Sequence, residues 1–325
     1  MHPAFSVIFL TTLLGAGQGL FLALFTGQLY ALAKLVPEQS GLFYAAGSLI
    51  ALGLLVLGLL ASFFHLGRPE RAWRAASQWR TSWLSREVIV LPITMVLVAA
   101  YGLAHWLGLS QPFVIVGGIL PLDLTLILGL LGTFAAFALF VCTAMIYASV
   151  RFLEEWHSPL TVANFTLLGI ASGFMLAAAY SAWLDNELVG FFATWAVTAT
   201  LLGLFTRTAS LLRNRRLKHK SNLQTAIGVR HQAIEQKAQG ATGGSFNTRE
   251  FFHGRAVGTL RLVRGAFLVL VFPLPVVLIA VAYGIGSPSL LLAAFALQFL
   301  GLLAERWSFF AEARHPQNLY YQRVS

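Results

Sequence analysis

The chain has 325 residues, of which 58% are hydrophobic and only 10% charged, with a mean hydropathy of +0.75. A soluble globular domain carries about 25% charged residues, so this chain has too little polar side chain to cover itself in water. That composition excludes a soluble globular protein and calls for an integral membrane protein.

In chain order, uncharged runs cover Pro3–Ala33, Gln39–Phe64, Val88–Ala104, Leu124–Val150, Ser158–Leu184 and Leu188–Thr206. Each is enough for one membrane helix, which needs roughly 17–25 residues. The run Gly265–Ala304 is 40 residues long and holds Gly284-Ile285-Gly286-Ser287-Pro288, a glycine and proline cluster that marks a tight turn between two helices. The expected fold is an all-α membrane protein with eight transmembrane helices. They lie at roughly 4-33, 41-64, 87-107, 124-150, 159-184, 188-210, 262-283 and 288-305, in one anchor domain spanning 1-325. The first run has no basic n-region and no obvious cleavage site, so it reads as a retained helix rather than a secretion signal.

The net charge of +10 suggests nucleic acid until its placement is followed along eight spans. The face that holds both termini then receives 21 of the 22 Lys and Arg residues, and Lys34 alone falls on the other. Short basic loops resist translocation, so both termini are expected in the cytoplasm and no nucleic-acid partner is expected. Residues 211-261 form a long basic cytoplasmic loop. Its first half suits a surface helix, Gly240–Gly244 suits a loop, and Phe246–Arg255 suits a docking surface for a soluble partner as much as membrane lipid suits its basic residues.

Several smaller features have plain structural readings. Gly15 to Gly19 lies deep in an apolar helix with no preceding strand, so close helix packing explains it better than a phosphate cradle, with Gln18 a buried amide in need of a partner. Asp123 suits the cap of the fourth helix, and Asp185 with Glu187 a turn on the far side. The single Cys142 leaves no disulfide framework, thiolate metal site or iron–sulfur cluster. No span interior holds two facing histidines, as a bis-histidine haem needs, so neither a haem nor another metal is expected in this chain.

The ionisable side chains gather instead at the basic face. His65 closes the second helix, Glu87 opens the third, and Arg68, Trp83, Ser85 and Arg86 lie between them. Tyr147 and Arg151 reach the same level from the end of the fourth helix. A quinone headgroup needs such a set, because its reduction takes two protons and its carbonyls need hydrogen-bond donors. Histidine can donate and pass a proton near neutral pH, and a carboxylate can relay another. The same residues also suit structure alone, with Ser85 as an N-cap, Glu87 favoured by the helix dipole, and the arginines and tryptophans as interfacial anchors.

HLGRP with the following RAW (Arg71 to Trp73), then SWLSRE, resembles the membrane-anchor subunits of the dimethyl sulfoxide reductase type, the DmsC-like proteins. The likeness extends over essentially the whole chain, including the glycine-bearing first helix and the tail Glu305 to Tyr321. It implies an eight-helix, haem-free quinone anchor without catalytic residues of its own, with His65 and Glu87 at the quinol site. Its implied partners are a four-cluster iron–sulfur subunit and a molybdopterin catalytic subunit, on a bacterial inner membrane. The opening HPAFSVIFLTTLLGAGQG and GGSFNTREFFHG (Gly243 to Gly254) are also similar to the anchors of membrane-bound sulfite-oxidising enzymes. That likeness and the cytoplasmic basic face imply sulfite oxidation to sulfate, with electrons passed to quinone. The alternatives are an anchor that oxidises menaquinol for a sulfoxide reductase and, from another class, a transporter or a purely structural tether. A transporter calls for ionisable groups near mid-membrane, and the sequence shows almost none there.

Overall fold

The computed structural model describes residues 4–116, 120–218, 221–231, 233–234 and 257–314. It is helical throughout apart from one short hairpin. Helices α1 (Phe5–Leu32), α2 (Gly41–Phe63), α3 (Trp83–Trp106), α4 (Leu124–Ala148), α5 (Pro159–Trp183) and α6 (Val189–Arg215) follow in order. After the five-residue α7 (Leu223–Ile227) come α8 (Val257–Val271), α9 (Pro273–Ile285) and α10 (Pro288–Ala311). A 3-10 segment, Pro69–Gln78, joins α2 to α3, and strands Val114–Val116 and Leu120–Leu122 pair antiparallel before α4. Among the described residues, eight helices are long and apolar enough to cross a membrane; α8 and α9 count as one, Gly258–Ile285. Phe272 and Pro273 interrupt that span, because proline lacks the N–H that would continue the helical ladder.

The first and fifth spans form the centre of the bundle, with 83% and 67% of their most apolar windows buried against 28–39% for the others. Glycine makes this possible. A Cβ on Gly173 would sit 2.0 Å from the Gly19 carbonyl carbon, and one on Gly19 would sit 2.2 Å from the Gly169 carbonyl oxygen. The two backbones touch there, which is the packing expected of the GAGQG run. Gln18 finds half of its partners: its Nε2 donates to Leu14 O at 3.0 Å, while its Oε1 is buried without one.

Local signals set most helix ends. Asp123 caps α4, its Oδ1 accepting from Leu126 N at 2.8 Å. Gly286, with φ +63°, ends α9 in the left-handed region open to glycine, as the turn sequence required. Four boundaries differ from expectation, the first being the start of the seventh span, at Val257 rather than near residue 262. The third helix opens at Trp83 rather than near residue 87, because Ser82 and not Ser85 is its N-cap, accepting from Ser85 N at 3.3 Å. The sixth and eighth spans run on to Arg215 and Ala311. Arg306, expected just past the eighth helix, therefore lies inside it, and Arg207 and Glu305 lie farther from the helix ends than expected. The loop features Gly240–Gly244 and Phe246–Arg255 lie outside the described residues.

Candidate functional site

Glu87 belongs to the second turn of α3 and is only 6% exposed. A carboxylate there needs a partner, since unsatisfied charge in hydrocarbon is costly. The hydroxyl of Thr143 on α4, itself buried, donates to Glu87 Oε1. Sequence spacing gives no sign of Thr143; the pairing exists only because α3 and α4 pack side by side.

Arg86, the preceding residue, points the other way. Its Nε donates to Trp79 O and its Nη2 to Arg80 O, both at 2.9 Å, and its guanidinium lies 4.1 Å from the centre of the Trp83 ring. Arg86 thus ties the end of the 3-10 connection onto the start of α3 with two charge-assisted bonds. Ser85 is buried beneath this clamp at 3% exposure.

Tyr147 follows Thr143 by one helical turn. Its ring packs with Trp156, Phe165, Phe309 and Phe310 at centroid separations of 5.1 to 5.8 Å. Trp156 Nε1 donates to Phe309 O at 2.9 Å and fastens this aromatic cluster to α10. Glu87 and Arg306 both lie within electrostatic reach of the Tyr147 hydroxyl. Arg306 stacks over Phe165 at 3.6 Å, and its Nη1 donates to Glu305 Oε2 at 3.0 Å. Glu305 Oε1 in turn lies 2.7 Å from Arg207 Nε. Two arginines and one carboxylate, none more than 4% exposed, form a buried ionic group within the spans. The sequence places Arg207 and Glu305 near expected helix ends and Arg306 just beyond one, because a charge beside an apolar run looks the same whether the helix stops or continues.

The remaining expected residues stand apart. His65 lies two residues past α2, its backbone N–H donating to Ser62 O at 3.3 Å and its side chain exposed. Partial desolvation lowers its pKa below the usual imidazole value. Arg68 and Arg151 are exposed. Among the described residues no hydrogen bond or ion pair joins His65, Arg68 or Arg151 to Glu87. The structure thus unites Glu87 with Thr143 and brings Tyr147 near, clamps Trp83 with Arg86, and leaves the other three at the rim.

The family model for the DMSO reductase anchor subunit, DmsC, matches residues 1–311. The chain belongs to the DmsC family. This DmsC-family anchor is also 71% identical, over the full length of both chains, to the sulfite dehydrogenase C-subunit of Allochromatium vinosum. The family describes membrane anchors, and the eight apolar spans of this DmsC-family chain accord with a multi-pass membrane protein.

Proposed function

We propose that this chain is the quinone-binding anchor of a molybdopterin and iron–sulfur complex that oxidises sulfite to sulfate at a bacterial inner membrane. Family membership supports the anchor role, and the name of the full-length relative favours sulfite over a sulfoxide as the substrate of the partner subunits. The basic membrane face, where His65, Arg68, Arg86 and Arg151 lie, is assigned to the cytoplasm on the charge asymmetry. The iron–sulfur and molybdopterin subunits would dock on that face.

The observation that carries the quinone site is Glu87: a buried carboxylate inside a membrane span, held by a hydroxyl rather than by a cation. A purely structural acid would be expected to pair with one of the nearby arginines, yet Arg86 turns to backbone carbonyls instead. The donors and acceptors around Glu87 fit a quinone headgroup, with hydroxyls on Thr143 and Tyr147, an imidazole at the rim and aromatic walls. When bound, a quinone supplies a two-electron, two-proton acceptor for electrons from the partner's terminal cluster.

Glu87 holds and transfers a proton at its carboxyl oxygen, a role suited to general acid–base catalysis. Thr143 fixes the orientation of that carboxyl group. His65, whose desolvation favours the neutral ring, exchanges protons with the aqueous side and hydrogen-bonds a carbonyl oxygen. Arg68 and Arg151 bias the local potential and meet the partner, while Trp83, Ser85 and Arg86 form the mouth. Because protons enter from the same side as the electrons, turnover moves no net charge across the bilayer.

The test is sulfite-dependent quinone reduction by the purified complex carrying Glu87→Gln. The variant should assemble and reduce an artificial acceptor at the normal rate, but lose quinone reduction about 100-fold or more, the scale of a removed proton-transfer group. An unchanged quinone rate removes Glu87 from the mechanism.

A further inference from the structure

At the basic face, the end of α6, the start of α8 and the end of α10 enclose a charged pocket of about 290 Å³. Arg215, Arg264 and Arg314 line it together with Glu155 and Glu312, and Leu211 and Leu260 add apolar wall between the charges. Three arginines against two carboxylates leave one positive charge in excess.

These charges are not equivalent, because both carboxylates already serve the fold. Glu312 Oε1 accepts from Arg264 Nε at 3.2 Å, from Arg264 Nη2 at 2.8 Å and from Ser308 Oγ at 3.0 Å. Glu155 is buried, and its Oε2 accepts from the backbone N–H of Arg314 at 3.3 Å, which fixes the end of α10 against the connection between α4 and α5. Arg213 is also spent, its guanidinium donating to the carbonyls of Glu154 and His157 at 3.1 and 3.0 Å. The guanidinium groups of Arg215 and Arg314 differ. Both residues are exposed, and neither guanidinium makes a hydrogen bond or ion pair among the described residues. Two free guanidinium groups on one pocket call for an anion with several acceptor oxygens.

An apolar strip leads to them. Leu201, Phe205 and Leu212 are exposed, and at 3.6 residues per turn they lie along one side of α6. Arg215 ends that strip on the same side, at the level where the helix leaves the apolar span.

We propose that this pocket binds the phosphate of an anionic phospholipid, with Arg215 and Arg314 donating to its oxygens and the acyl chains lying along the α6 strip. Basic pockets between membrane helices at the interface suit lipid headgroups. A free phosphate would use the arginines alone, and so would a carboxylate of a docked protein. A phospholipid uses the arginines and the strip at once. The inference is independent of the quinone reading and shares no residue with it.

The experiment strips lipid from the complete complex in detergent and titrates it with phosphatidylglycerol. Native mass spectrometry counts the adducts and records which subunits remain. A saturable adduct is expected, with phosphatidylcholine binding severalfold more weakly. Arg215→Gln with Arg314→Gln should weaken the adduct roughly thirtyfold, the scale of two surface arginines. Arg74→Gln with Arg80→Gln removes the same charge from exposed positions between α2 and α3 and should leave it intact. Absence of a saturable adduct, or an adduct unchanged in the Arg215 and Arg314 variant, overturns the site. Equal weakening by both double variants reduces it to diffuse attraction and also overturns it. Displacement by equimolar inorganic phosphate assigns the pocket to a free anion instead of a lipid. Loss of partner subunits from the Arg215 and Arg314 variant, with the adduct retained, gives those arginines to protein docking and sinks the lipid site.

Discussion

Arg207 Nε lies 2.7 Å from Glu305 Oε1, and both side chains are almost wholly removed from solvent. The N–H groups of Arg207 nevertheless make no directed hydrogen bond to that oxygen, so the contact is chiefly Coulombic. Glu305 shares its other oxygen with Arg306, and the group carries one positive charge in excess. Charges so placed are held by each other and by the rings beneath them, Phe267 under Arg207 at 5.3 Å and Phe165 under Arg306 at 3.6 Å. The spans thus carry a buried ionic group toward the ends of α6 and α10.

Removing one partner of a buried ion pair strands the other, at a cost of about 3–5 kcal/mol. Glu305→Gln strands two arginines and should lower the thermal midpoint of the detergent-solubilised protein by several degrees. The double variant Arg207→Met with Glu305→Gln should recover part of that loss. Fluorescence-detected size exclusion after heating measures both. Equal midpoints for Glu305→Gln and wild type would mean that the triad contributes little to the fold.

Thr143→Val keeps the shape of the side chain and removes the donor to Glu87. An orphaned buried acceptor costs about 1–3 kcal/mol, here directed at the orientation of one carboxyl group. Quinone-coupled turnover should fall roughly tenfold at that cost, with artificial-acceptor activity retained, and Thr143→Ser should restore it. A Val variant as fast as wild type would separate Thr143 from the site.

Gly173→Leu should prevent accumulation of the folded protein, because its Cβ alone would lie 2.0 Å from Gly19 backbone. Gly53, on α2, has nothing within 4 Å of an added Cβ. Gly53→Ala should therefore be neutral or slightly stabilising, since alanine is the better helix former. Membrane yield of the two variants, compared by immunoblot, checks the contrast.

Cys142 is the only cysteine and is buried, which makes the chain suited to topology mapping. With a membrane-impermeant maleimide, Ser110→Cys should label in intact spheroplasts. Ser221→Cys should label only after the membrane is broken, if the basic face is cytoplasmic. The reverse pattern would invert the orientation proposed here and move the partner subunits to the other side.

Much of the architecture was legible because membrane physics leaves few options. Long uncharged runs must become helices in hydrocarbon, Gly286 had to end one, and the small residues of α1 had to meet another backbone. Glu87 could be singled out for a similar reason, being a carboxylate placed immediately before an apolar run. Local sequence was weaker at helix ends near charge. Ser82 and Ser85 are both reasonable caps by type, and only the backbone decides which one holds the turn.

Composition and period along one chain suffice for the helical membrane class, the eight spans, the side on which positive charge collects and the carboxylate most in need of explanation. They do not reach the partners. That Thr143 faces Glu87, that Tyr147 stands near both Glu87 and Arg306, and that Arg207 meets Glu305 from a helix about a hundred residues away were settled only in the folded bundle. Those pairings arise from which faces of separate helices pack together. No local pattern encodes that choice, because the energy that selects it belongs to the contact and not to either segment.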